Sequence, residues 1–172
     1  MVINLKMYDI IILRGERMKK KLLGILVIAM MVVLTGCSSN KEETTKILTC
    51  TIDQEVQAGI SIDSTYKVTY KGDYVNLVET TEKIISDNSE YLEQVKTLTE
   101  QTYSQFDEVE HYNYKVEIKD GVLISTTKID YEKMNTDDLI EVNPEIGSIL
   151  DNGKLKVKDI KDIYEQLGAT CK

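Results

Sequence analysis

The chain has 172 residues with 21 basic and 29 acidic side chains, a formal net charge of −8, one histidine, three cysteines and no tryptophan. Residues 1–36 hold six of the basic groups and two of the acidic ones, so the remainder carries 15 basic and 27 acidic residues, a net charge of −12. Such a surface repels phosphate backbones, which excludes nucleic acid as a partner, and it is held off an anionic bilayer rather than adsorbed to it.

Residues 1–17 contain Asp9, Arg14, Glu16 and Arg17 ahead of a second start at Met18. They are expected to be an upstream extension created by a misplaced start codon, because Arg14-Gly15-Glu16-Arg17 is what a purine-rich ribosome-binding site encodes when translated. Residues 18–36 then form a signal peptide. Lys19, Lys20 and Lys21 give a positive region, and residues 22–34 give thirteen mostly apolar positions. Leu34-Thr35-Gly36-Cys37 closes them as a lipobox, with cleavage between Gly36 and Cys37 and a diacylglyceryl group on the Cys37 thiol. A transmembrane helix would need about 20 apolar residues. Two acyl chains at ~0.8 kcal/mol per buried CH2 anchor a protein far more durably than one. The expected address is therefore the extracytoplasmic face of a bacterial cell membrane, reached through a palmitate-type lipid anchor.

Residues 37–44 are polar and read as a lipidated tether, at most about 25 Å long beyond the cysteine. A single α+β domain over 45–172 follows. Ile47, Thr49 and Thr51 alternate with Leu48, Cys50 and Ile52, which predicts a first strand with Cys50 on the Leu48/Ile52 side. Tyr66, Val68 and Tyr70 alternate with lysine and threonine before Gly72-Asp73, and 74–81 continues as a strand. A second hairpin runs from His111 to Asp120-Gly121 and returns over 122–131, with His111 on the polar side of its strand.

The antiparallel sheet needs a cover on its apolar side. Tyr91, Leu92, Val95, Leu98, Thr102, Phe106 and Val109 recur every three or four residues, predicting a long helix over 87–109 started by an Asp87/Glu90 capping box. Residues 136–142 predict a short helix with Asp137-Asp138 in its first turn. Asn143-Pro144 caps another that reaches Leu150. Ile160, Ile163, Tyr164 and Leu167 predict a C-terminal helix stopped at Gly168, which carries Cys171 to the core. The fold class is α+β: an antiparallel sheet built from hairpins, covered on one face by one long helix and a C-terminal helix.

Cys50 and Cys171 are expected to form a disulfide, since an exported domain occupies an oxidising compartment. Two separate free thiols are the alternative, because a lone pair has no spacing pattern. His111 beside Asp107, Glu108 and Glu110 matches no zinc spacing, and no calcium-loop, phosphate-loop or dinucleotide-binding motif is found. No nucleophile stands out, and the sequence calls for neither cofactor nor metal. The expected role is non-catalytic binding of an envelope protein, polymer or small ligand. The alternatives are a divalent-cation-binding surface module and a carboxylate-pair hydrolase.

The lipobox, the domain size, Tyr70-Lys71-Gly72-Asp73 followed by Val75, and Ile129-Asp130-Tyr131-Glu132-Lys133 ahead of Leu139 together resemble the YehR-like family of small bacterial lipoproteins. The resemblance spans most of 37–172. It implies an α+β fold, membrane anchoring and no established biochemical function, and it does not carry the cysteine bridge.

Overall fold

A computed structural model describes residues 43–172. The lipobox residues Leu34, Thr35, Gly36 and Cys37 lie outside the described residues. Strands β1 (Thr45–Gln57), β2 (Ile60–Lys71) and β3 (Tyr74–Ser86) are joined by tight turns. Helix α1 (Ser89–Tyr103) and a 3-10 turn (Ser104–Phe106) lead to the hairpin of β4 (Tyr112–Lys119) and β5 (Val122–Asp130). Then come α2 (Thr136–Val142), a 3-10 turn (Pro144–Ile149), the two-residue strands β6 (Leu150–Asp151) and β7 (Lys154–Leu155), α3 (Val157–Gln166) and β8 (Thr170–Cys171). The main sheet is antiparallel, in the order β4-β5-β3-β2-β1-β8, and β6 and β7 pair separately.

Strand parity places Cys50, Ile52, Tyr66, Val68, Val78 and Leu123 on one side of this sheet, where they are buried, and both longer helices cover that side. Fully burying a side chain such as Val68 is worth about 1.5–3 kcal/mol. The buried residues form two clusters. One joins β1, β2 and β3 to α3 through Tyr66, Val68, Val78, Ile160 and Tyr164; the other gathers Val109, Met134 and Leu139.

The fold agrees with the sequence expectation, with local corrections. A hairpin joins β1 to β2 through Ala58-Gly59, with a bulge between Glu55 and Gln57. The polar run there shows no strand signal. The cap of α1 is Asn88, not Asp87: the Asn88 amide oxygen accepts from the Tyr91 N–H at 3.0 Å. The helix ends at Tyr103 instead of continuing to Val109. Thr97, Thr99 and Thr102 each bond back to the carbonyl four residues earlier, a habit that weakens helices. Leu98 falls off the covered stripe and is 54% exposed, whereas Leu92 is buried.

The end of α3 follows its glycine. Gly168 has φ 95°, its N–H donates to the Glu165 carbonyl and the Ala169 N–H donates to the Tyr164 carbonyl, which together make a Schellman motif. A Cβ at Gly168 would meet nothing within 4 Å. Gly168→Ala should therefore cost only the left-handed backbone penalty of about 1–2 kcal/mol, measured by thermal unfolding; an unchanged melting temperature would contradict this cap.

Candidate functional site

The Cys50 and Cys171 sulfurs are bonded, and the two residues stand opposite each other in the β1–β8 pairing. His111 is not on a strand. It occupies the turn before β4 with φ 67° and is exposed, because the chain reverses there to let its carbonyl accept from the Asp130 N–H. Asp107, Glu108 and Glu110 beside it are exposed. Among the described residues, no three His, Cys, Asp or Glu side chains converge as metal ligands.

The unusual chemistry lies on the covered side of the sheet. Register pairing sets Ser64, Glu82 and Ser125 in one rung across β2, β3 and β5, and Tyr66, Thr80, Thr127 and Tyr114 in the next. Ser64, Ser125 and Thr127 are buried. Apolar rungs flank this band, with Val68, Val78 and Ile129 on one side and Ile62, Ile84 and Leu123 on the other. A buried polar group is the informative exception in a covered layer.

Glu82 is at its centre, half-buried. The Tyr66 hydroxyl donates to Glu82 Oε1 at 3.1 Å, and the Ser125 hydroxyl donates to Oε2 at 3.4 Å. Helix α1 packs over β3, β4 and β5, and α3 lies against β1 and β8, so the band follows the seam between them. Each helix lends it a phenol. Tyr103 of α1 neighbours the Ser125 hydroxyl; Tyr164 of α3 neighbours Thr80 and stacks on Tyr66 with ring centroids 4.3 Å apart. Burial raises the pKa of Tyr66 and Tyr103, and the Glu82 charge raises it further. Burial also raises Tyr112 and Tyr164, with neighbouring phenols ahead of Glu82 as the next cause. These hydroxyls stay protonated and serve as donors and acceptors, not as bases.

The open side of the sheet has different chemistry. A hollow of about 330 Å³ there is lined by Glu79, Thr81, Asn113, Lys115, Thr126 and Lys128, among others. Its charges are already matched: Glu79 meets Lys67 at 3.5 Å and Lys128 at 3.3 Å, and Lys115 meets Glu117 at 2.7 Å. Glu82, by contrast, has no cationic partner within 4 Å among the described residues. The unpaired carboxylate therefore distinguishes the seam from this hollow.

Sequence reasoning did not single out Glu82, Ser64 or Ser125. The available signal was parity, since Glu82 shares the side of Val78 and Ile84, but the strand was expected to stop at Thr81.

Among the described residues no helix is long and apolar enough to cross a membrane. No family model matches the sequence. The chain is 29% identical over 140 residues to the uncharacterized lipoprotein Lmo0207 of Listeria monocytogenes, covering 80% of this chain and 86% of that protein. It is 28% identical over 154 residues to the uncharacterized lipoprotein Lin0239 of Listeria innocua, covering 88% and 94%. In structure it is similar to the E. coli YehR protein solved by NMR, with a TM-score of 0.50, 16% identity and coverage of 76% of this chain and 92% of that one. The chain is thus a homologue of uncharacterized bacterial lipoproteins and has a YehR-like α+β fold, as the resemblance in its sequence implies.

Proposed function

We propose that the protein is a lipoprotein held on the extracytoplasmic face of the membrane through Cys37, and that its domain binds a small polar ligand without making or breaking a bond. The observation that carries the binding reading is the convergence of Tyr103 from α1, Tyr164 from α3 and Glu82, Ser64 and Ser125 from the sheet on one hydroxyl-rich seam. Sites of this kind combine an apolar surround with a few convergent polar groups. The support for a non-catalytic role is the character of those groups: protonated phenols, hydroxyls and one carboxylate, with no activated nucleophile beside them.

Two measurements test the two halves of this proposal. Cys37→Ala should leave the membrane fraction and lose the mass of the lipid, whereas continued membrane association at unchanged mass would overturn the anchor. For binding, full-length protein in detergent should give saturable shifts of the Tyr103 and Tyr164 ring resonances with at least one member of a panel of amines, saccharides and carboxylates. An entirely silent panel would overturn the binding reading.

A further inference from the structure

We propose that the seam around Glu82 is a binding site for a primary ammonium group, with the Glu82 carboxylate facing its charge and the Ser64, Ser125 and Tyr66 oxygens accepting its N–H donors. This rests on the binding reading above and names its ligand class.

The first reason is charge. A carboxylate in a covered layer costs free energy unless a partner charge offsets its lost hydration. Glu82 receives only two neutral hydroxyl donors, from Tyr66 and Ser125. Elsewhere on the same sheet carboxylates do have lysines, as with Glu79 and with Asp63, which meets Lys83 at 3.4 Å. Glu82 has no lysine within 4 Å among the described residues and, unlike the exposed Asp53 and Glu55 of β1, is half-buried on the covered side. The chain's net charge of −8 raises the local concentration of such ligands.

The second reason is the donor inventory. A hydroxyl that donates its hydrogen keeps lone pairs to accept with, and an alkylammonium has three N–H donors and no acceptor. Tyr66 and Ser125 donate to Glu82 and can still accept, and Ser64 lies in the same rung. A calcium ion takes six to eight oxygens, commonly from several carboxylates, and Glu82 is a single carboxylate among hydroxyls. A quaternary ammonium lacks N–H groups and would leave the hydroxyl acceptors unused.

The test is calorimetric titration of the full-length protein in detergent with n-butylammonium chloride, alongside n-butyltrimethylammonium, sodium butyrate, N-acetylglucosamine and calcium chloride. Saturable binding of n-butylammonium is expected, weakened at least about tenfold in Glu82→Gln, since a hydrogen-bonded charge pair is lost. Glu82→Gln should melt at or above the wild-type temperature without ligand, because it removes a charge that has no counter-ion. No saturable heat with n-butylammonium, equal affinity in the variant, or equal affinity for the quaternary amine would overturn the proposal. Equal or tighter calcium binding at this site would do so too. So would a Glu82→Gln protein that melts several degrees lower, since Glu82 would then serve the fold. If N-acetylglucosamine or butyrate shifts the Tyr103 and Tyr164 ring resonances while the amine does not, the ligand class is wrong and the binding reading stands. If no probe shifts them, both fall.

Discussion

Cys171→Ala is expected to lower the unfolding free energy by about 4–5 kcal/mol, the chain-entropy value for a closed loop of more than a hundred residues. The bridged residues are 121 apart in sequence, so the bond restrains most of the folded chain. Small domains have about 5–15 kcal/mol in all, so this loss takes roughly a quarter or more of the total. Cys171 is the right partner to change, because Cys50 is fully buried and its truncation would add a cavity penalty. The bridge also closes the structure locally. Strand β8 pairs with β1 only at Cys50↔Cys171 and Thr51↔Thr170, supplemented by the reciprocal Thr49 and Lys172 backbone bonds at 2.9 and 2.8 Å. Urea unfolding followed by circular dichroism should show the midpoint falling by roughly 2 M at a slope of about 2 kcal/mol per M. Amide exchange should accelerate first in α3, which leads directly into β8. An unchanged midpoint would mean that packing alone holds the C-terminal segment.

What was legible in the sequence follows from the range over which its signals act. The β4–β5 hairpin announced itself because parity and turn chemistry agree: Asp120 and Gly121 have φ 53° and 76°, as a two-residue turn matched to strand twist requires. Helix α3 was legible because Ile160, Ile163, Tyr164 and Leu167 repeat at helical spacing and Gly168 ends the pattern. The start of α1 slipped by one residue because Asp87 and Asn88 are both good caps and only the backbone geometry chooses Asn88. The seam was illegible for a different reason. Ser125 and Glu82 are 43 residues apart, and Tyr66 and Glu82 are 16 apart, so only strand register makes them neighbours. A glutamate in a strand-like run reads as solvated until the pairing shows that its side of the sheet is covered. The lipobox reading rests on residue type and order alone, and its residues lie outside those described.

The tyrosines make the fold sensitive to alkali. Burial raises the pKa of Tyr66, Tyr103, Tyr112, Tyr131 and Tyr164, with Tyr131 pushed up to about 12. Each is raised above the ordinary value of 10.0, so above that pH the folded state holds a proton that the unfolded chain has released. Their contribution is complete below pH 10 and disappears as the pH climbs toward the raised values. One retained proton corresponds to about 1.4 kcal/mol per pH unit, so five acting together give a slope of roughly 7 kcal/mol per unit. Lysine deprotonation adds self-repulsion to a chain that is already at −8. Against a total of about 5–15 kcal/mol, unfolding is expected within about two units above pH 10. Circular dichroism and phenolate absorbance, recorded together against pH, should change in one cooperative step, with the buried phenols ionising only as the sheet is lost. Smooth ionisation of all nine tyrosines after Cys37 near their ordinary value, with the circular dichroism unchanged, would place those rings in water. The packing of Tyr103 and Tyr164 over the Glu82 band would then be wrong.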